Sequence, residues 1–226
     1  MFIHEGAHFL VAKRSGVKVL DFSLGFGKEI WAKQGAETRY SLRIVPLGGF
    51  VRMLGEEEEV EDERAFNRAP CWKRLAIVLA GPVINISFGL VLFWILASIY
   101  NRNAYYGLIV RKNYIVLLFQ SIAGLFTGGM KDAGLVGPVG ISSMIVQTSG
   151  LFDFCYLMAV ISISLGITNL LPIPGLDGGK ILLLIVEMIR RKKVSEDMEL
   201  KLTAAGMLLL LTIAAFVTMN DIGRLF

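Results

Sequence analysis

Three long, uncharged and mostly apolar runs dominate the hydrophobic pattern of this chain. They cover residues 75–100, 154–176 and 202–220, and each approaches or exceeds the roughly 20 apolar residues that a helix needs to cross a bilayer. A fourth apolar run, residues 1–12, is too short to cross. The pattern predicts an α-helical polytopic membrane protein with about four transmembrane helices, the first of them truncated.

The short first run has two favoured explanations. Either the apolar half that should precede His4 is missing from this chain, or the helix enters the membrane only part way. A secretory signal peptide is a third possibility, but it should carry basic residues before its apolar core. Here Lys13 and Arg14 follow the run instead, which argues against a signal peptide.

The polar segment 13–74 contains strand-like patterns. Residues 17–26 are rich in β-formers, and residues 39–44 alternate, with Tyr40, Leu42 and Ile44 as the apolar members. Pro46 and the glycines after it are expected to end this strand. We predict a small membrane-associated β-hairpin or sheet with one apolar face. An unpaired edge near residues 40–45 would bind an extended peptide, or the hairpin is purely structural.

Four further segments complete the organisation of the chain. The acidic run 56–63 is typical of solvated surface. Residues 114–126 are predicted to form an interfacial or re-entrant helix on the outer side, because a crossing there would place the basic residues 190–193 outside. We expect a loop with a short helix over 134–150 and a helix at the cytoplasmic face over 180–193.

Composition and charge support a membrane protein. The chain has 226 residues, 54% hydrophobic and 19% charged, with a net charge of +4. The basic residues concentrate in two blocks beside apolar runs, which fits cytoplasmic loops better than a nucleic-acid surface. We therefore predict an inner (cytoplasmic) membrane protein whose active site faces the cytoplasm, and no nucleic acid partner. Cys71 and Cys155 suggest no disulfide framework.

The chemistry is concentrated in an HExxH motif near the first residue. His4 and His8 are the only two histidines of the chain, and on a helix they would lie one turn apart and bind one zinc ion. Glu5 lies beside them as a base for a water molecule. The alternative is a buried structural helix, which would leave two imidazoles and a carboxylate without visible partners at high cost.

A third protein ligand is expected, because catalytic zinc generally has three. Two prolines break the apolar helix between residues 169 and 179, and a carboxylate in such a break is a functional candidate. Asp177 is our choice for this ligand. Asp21 and Glu29 are rivals that lie closer in sequence, but both fall in the hairpin-like polar region, where a solvated carboxylate is expected.

These motifs resemble the site-2 protease family of intramembrane zinc metalloproteases, particularly the bacterial regulator of sigma-E protease type. The HExxH motif, the segment from Asn169 to Gly178, and the segment from Gly81 to Asn85 carry the resemblance. The resemblance implies that His4, His8 and Asp177 bind one Zn²⁺ and that Glu5 is the catalytic acid/base. The predicted substrate-binding residues are Asn169, Pro172, Tyr40, Leu42, Ile44 and Asn85.

The resemblance implies regulated intramembrane proteolysis, with single-span membrane proteins as substrates in the lipid bilayer. Many bacterial members insert PDZ domains after their second helix, but only about residues 101–113 stand there, far fewer than a PDZ domain needs. The alternative function is a catalytically inactive membrane adaptor or a transporter-like protein.

We predict a single intramembrane metalloprotease domain over residues 1–226. Its parts are a partial first helix (1–12), a cytoplasmic β region with an acidic loop (13–74), a span (75–100), an outer loop with an interfacial helix (101–153), a span (154–176), the LDG segment with a cytoplasmic-face helix (177–201) and a last span (202–220).

Overall fold

The computed structural model describes residues 1–56, 60–101, 145–146 and 150–223. The predicted interfacial helix and most of the predicted loop before residue 150 lie outside these residues. In chain order the elements are α1 (Phe2–Arg14), β1 (Val19–Gln34), β2 (Arg39–Met53), a 3-10 turn (Phe66–Arg68), α2 (Cys71–Asn101), α3 (Leu151–Asn169), α4 (Asp177–Arg190) and α5 (Glu196–Gly223).

Among the residues that the structure describes, three helices are long and apolar enough to cross a membrane, which agrees with the three predicted spans. The qualifying stretches are Cys71–Leu96 in α2, Leu151–Asn169 in α3 and Asp197–Met219 in α5. The first helix, α1, has 13 residues. The prediction carried the second span to residue 176, but α3 ends at Asn169, because Pro172 and Pro174 cannot continue a helix.

The two strands form one antiparallel sheet, and both strands bend. Phe22 pairs with Val51 and also with Tyr40, so the first half of β1 lies between the two halves of β2. Gly25 has a φ of +87°, and a Cβ there would lie 2.7 Å from the Val45 carbonyl oxygen. Glycine is therefore required where β1 turns close to β2.

The prediction that the second strand ends at Pro46 is wrong, because β2 continues to Met53. Val45 pairs with Phe26, and Gly49 pairs with Leu24. Pro46 therefore occupies the bend between the two paired halves of β2, and a proline, which has no N–H, is tolerated at such a ladder irregularity.

Two compact units make up the described chain. The first comprises Met1–Asn85 and Gly166–Gly206, and it contains every residue of the predicted site; the second comprises Ile86–Leu165 and Met207–Phe226. A buried apolar cluster in the first unit joins α1, the sheet and α2; its members are Ala12, Val17, Val19, Met53 and Ile77. Within the second unit, Gly89 lies against Ala159 and Ile163.

The segment between α3 and α4 is irregular and closely packed. A Cβ on Gly178 would overlap the Leu171 carbonyl oxygen, and one on Gly206 of α5 would overlap the Pro174 carbonyl oxygen. Glycines at these positions let the start of α4 and the side of α5 approach the segment's backbone. This close approach fixes where the first residue of α4 lies.

Candidate metal centre

Helix α1 places two imidazoles side by side. His4 and His8 lie one helical turn apart and are 5% and 8% exposed, and their Nε2 atoms are 3.2 Å apart. Lys13 and Arg14 in the last turn of α1 complement the negative end of its dipole. The motif is therefore helical, as predicted, and the helix brings the Nε2 atoms of the two rings close together.

The His8 ring is oriented by the backbone of α2. Its Nδ1 lies 2.8 Å from the Ile77 carbonyl oxygen, which has only a lone pair to offer, so Nδ1–H donates this hydrogen bond. The Nε2 lone pair of His8 is consequently left for a metal ion. Hydrogen bonds of this kind orient the imidazole ligands of metal ions in proteins.

Asn85 of α2 contacts the other imidazole. Its side-chain amide lies 3.1 Å from His4 Nδ1. An amide can present either its nitrogen or its oxygen at such a position, and the oxygen would accept a proton carried by Nδ1. That tautomer leaves His4 Nε2 as a metal ligand, matching the arrangement at His8.

Asp177, the first residue of α4, supplies the third convergent atom. Its Oδ2 lies 3.1 Å from His4 Nε2 and 3.5 Å from His8 Nε2. This oxygen is buried and has no hydrogen-bond donor in the part of the chain that the structure describes. The three ligand atoms all lie within 4.8 Å of one another. Two imidazole nitrogens and an orphaned carboxylate oxygen fit a zinc ion.

Gly81 provides the space that the imidazoles occupy. A Cβ at this position would lie 2.3 Å from His8 Nε2 and 2.7 Å from His4 Cε1. Real Cβ atoms do not approach other atoms so closely, so any other residue at position 81 would displace both imidazoles. The sequence indicated a small residue for close helix packing here, but not that its neighbours would be the two histidines.

Glu5 lies beside the centre but outside the group of convergent atoms. It is 9% exposed, and its side chain packs against Gly49 of β2, where a Cβ would lie 3.1 Å from Glu5 Cγ. Gly49 is therefore the residue of the sheet that contacts Glu5. No signal in the sequence indicated that Gly49 contacts Glu5.

The remaining predicted residues differ in their distance from the centre. Asn169 is close, with its amide nitrogen 3.3 Å from His4 Nε2, whereas Pro172 is exposed in the segment between α3 and α4. The rival ligands are engaged elsewhere. Asp21 pairs with Arg52, and Glu29 accepts hydrogen bonds from two arginines, Arg39 and Arg43.

The structure corrects the predicted edge of the sheet. Tyr40 pairs with Phe22 and Lys33, and Leu42 pairs with Leu24 and Trp31. Each of these residues therefore has a strand neighbour on both sides, and no free edge remains there. Ile44 is 61% exposed near the bend of β2. Among the described residues, the segments paired on one side only are 29–34 and 49–53. The second of these includes the glycine that contacts Glu5.

Comparison with known proteins agrees with this geometry. A family model described as "Peptidase family M50" matches residues 1–213. A protein of Clostridium acetobutylicum is 27% identical over 98% of this chain and 94% of its own length, and one of Fusobacterium nucleatum is 26% identical over 100% and 96%. A Vibrio cholerae protein is 36% identical over 65% of this chain and 36% of its own length.

All three relatives carry the name "Putative zinc metalloprotease". The alignment with the C. acetobutylicum protein runs over 317 positions, which is more than the 226 residues of this chain, so that relative has insertions. With its family model matched from the HExxH helix into the last apolar helix, this chain belongs to peptidase family M50, the site-2 proteases.

Proposed function

We propose that this intramembrane zinc metalloprotease hydrolyses peptide bonds in or near the transmembrane segments of single-span membrane proteins. The observation that carries the proposal is the convergence of His4 Nε2, His8 Nε2 and Asp177 Oδ2 beside a buried glutamate. The chain's apolar helices place this chemistry in a membrane protein. Family membership does not favour the alternative of an inactive adaptor or transporter.

In this proposal His4, His8 and Asp177 hold the zinc ion, and Glu5 is the acid/base. Bound zinc supplies Lewis acidity toward a peptide carbonyl and lowers the pKa of a coordinated water. Glu5 accepts the proton of the attacking water and later donates a proton to the leaving amine. Asn85 orients His4 in place of the substrate-binding role predicted for it, because it is 1% exposed and contacts the imidazole.

The substrate must present an extended peptide, because the carbonyls of an intact helix are hydrogen-bonded. Residues 49–52 have no strand partner on one side among the described residues, and Gly49 contacts Glu5, so we infer that the unwound substrate pairs with this segment. The Asn169 amide, at the metal centre, positions the scissile carbonyl or stabilises its developing charge. Pro172 and Ile44 are both exposed, and we propose that they contact the substrate outside the metal centre.

We further propose an inner-membrane location with the site toward the cytoplasm. The support is the pair of basic blocks beside the apolar runs, around residues 13–14 and 190–193, since basic loops favour the cytoplasmic side. Residues 1–226 would act as one intramembrane protease domain.

The test of catalysis is reconstitution in vesicles with a panel of single-span substrates. We expect Glu5→Gln to lower the cleavage rate at least about 100-fold, because general acid–base catalysis contributes about that much or more, while its zinc content stays at the wild-type level. The matched control is Glu29→Gln, which removes a carboxylate of the sheet. Cleavage that survives Glu5→Gln would refute the mechanism.

The ligand assignment is tested by zinc content after dialysis. Asp177→Ala should lose most of its zinc, because two imidazoles alone make an incomplete site. Asp21→Ala should keep its zinc, because the Asp21 carboxylate is committed to Arg52. The reverse result would move the third ligand into the sheet.

A further inference from the structure

An open apolar groove of about 740 Å³ lies between α1, the sheet and α2. It occupies the opposite side of the α1–α2 contact from the metal centre, since α1 turns His4 and His8 toward residues 77, 81 and 85 of α2. Its walls include Phe2, Leu10, Phe22, Tyr40, Ala80 and Val83. The volume falls within the range of small-molecule sites in proteins.

One charged residue lines this groove. It is Arg14, the last residue of α1, at the point where the chain leaves its apolar helix for the polar segment. The neighbouring Lys13 forms an ion pair with Glu37 at 2.8 Å. Arg14 is exposed, and no carboxylate lies within 4.0 Å of it in the ranges that the structure describes. The groove therefore offers a long apolar surface with an unneutralised cation at one end.

We propose that this groove binds an anionic phospholipid, with an acyl chain along α1 and the phosphate at Arg14. The side chains of Phe2, Leu10 and Val83 are 51–63% exposed, and in a membrane protein such surface faces lipid. An acyl chain covers this surface, and a guanidinium forms paired hydrogen bonds with phosphate oxygens. A zwitterionic lipid fills the groove equally well and carries the same phosphate, but its own cationic headgroup offsets that charge, so Arg14 gains less from it than from a headgroup with a net negative charge.

The bound lipid packs on the outer face of the helix that carries His4 and His8. An acyl chain in the groove would thereby support the α1–α2 contact from the side opposite the metal centre. Lipid binding in the groove requires only its apolar walls and Arg14, so it can be tested independently of the protease activity.

The experiment measures lipid retained by the purified full chain after reconstitution with phosphatidylglycerol and phosphatidylcholine, using native mass spectrometry. Wild type should retain the anionic phosphatidylglycerol several-fold over the zwitterionic phosphatidylcholine. Arg14→Gln should remove this preference, whereas Lys13→Gln, the adjacent cation outside the groove wall, should keep it. Equal preference in the two variants would overturn the proposal.

A second variant fills the groove. A Cβ at Gly6 meets nothing within 4 Å, so Gly6→Leu can project into the groove without a backbone clash and should lower retention of both lipids. Val83→Trp, which obstructs the other wall, should do the same if Gly6→Leu fails to fold. Unchanged retention in a folded variant overturns the proposal. Photo-crosslinking from Leu10 to a single-span substrate in place of lipid would assign the groove to protein instead.

Discussion

At the scale of single residues, the two histidines are held in different ways. His8 is fixed by a backbone carbonyl, that of Ile77, which no side-chain substitution removes directly. His4 depends on a side chain, that of Asn85. Substitutions of Asn85 should therefore disturb His4 more than His8. Gly81 of α2 lies against both rings, so a side chain at that position would clash with both of them.

We expect Gly81→Ala to abolish tight zinc binding without loss of helix content. Alanine favours a helix over glycine by about 1 kcal/mol, but its methyl group would lie only 2.3 Å from His8 Nε2. Zinc affinity, measured by competition with a chromophoric chelator, reports the effect.

The matched control is Gly89→Ala in the same helix. A Cβ there would lie 2.4 Å from Ile163 Cγ1, so this variant should weaken helix packing and lower thermal stability while zinc affinity stays unchanged. If both variants lost zinc, the packing of α2 in general would determine zinc affinity, and the space beside the imidazoles would not be the cause.

At the scale of the elements, α4 is held in place by polar contacts along its length. Lys180 in its first turn forms an ion pair with Glu56 at 2.6 Å. Further along α4, Glu187 pairs with Arg74 of α2 at 2.9 Å, and both side chains are nearly buried. Asp177 begins this helix, so any rotation of α4 displaces its carboxylate from the two imidazoles. Glu56 is thus an exception to the solvated acidic run that the sequence indicated.

Breaking the Glu56–Lys180 pair should weaken zinc binding. Glu56 Oε2 also accepts the Met53 N–H, so its carboxylate joins the end of β2 to α4, the helix that begins with Asp177. We expect Lys180→Glu to lower zinc affinity several-fold, because the two carboxylates would repel. The charge-swapped double variant Glu56→Lys/Lys180→Glu should recover part of the loss, as titration with a zinc indicator would show. A double variant no better than the single one would contradict the pairing argument.

At the scale of the whole molecule, the polar segment between α1 and α2 is rich in ion pairs, in contrast to the apolar helices. Glu37 in the turn of the sheet binds Lys13 at the end of α1 and Arg64 after the sheet. These two hydrogen bonds lower the pKa of Glu37 from 4.5 to about 2. Three parts of the polar segment are thereby joined at one carboxylate.

The depressed pKa fixes the direction of a pH effect. Because the folded state favours ionised Glu37, its contribution to stability is present above pH 4.5 and is lost as the pH falls toward 2. Amide hydrogen exchange near residues 35–38 should therefore remain slow at pH 4.5, after correction for intrinsic rates, and accelerate toward pH 2. In Glu37→Gln this additional acceleration should be absent. An identical pH profile in the variant would show that another group is responsible.

The sequence predicted the parts of the molecule that depend on local pattern. Uncharged runs identified the spans, and the HExxH motif with the proline-broken LDG segment identified three atoms that the structure brings together. Contacts between distant segments were not predictable in this way. The continuation of β2 past Pro46, the pairing of Tyr40 on both sides and the approach of Gly81 to the imidazoles depend on tertiary register, which no local pattern encodes.

The position of Asp177 has a consequence for the timing of synthesis. Two of the proposed metal ligands lie in α1, but the third begins α4, which follows α2 and α3 in the chain. A growing chain therefore carries an incomplete zinc site until α4 has emerged and packed against α1 and α2. By this order of assembly, we expect a nascent chain to have no peptidase activity until α4 is in place.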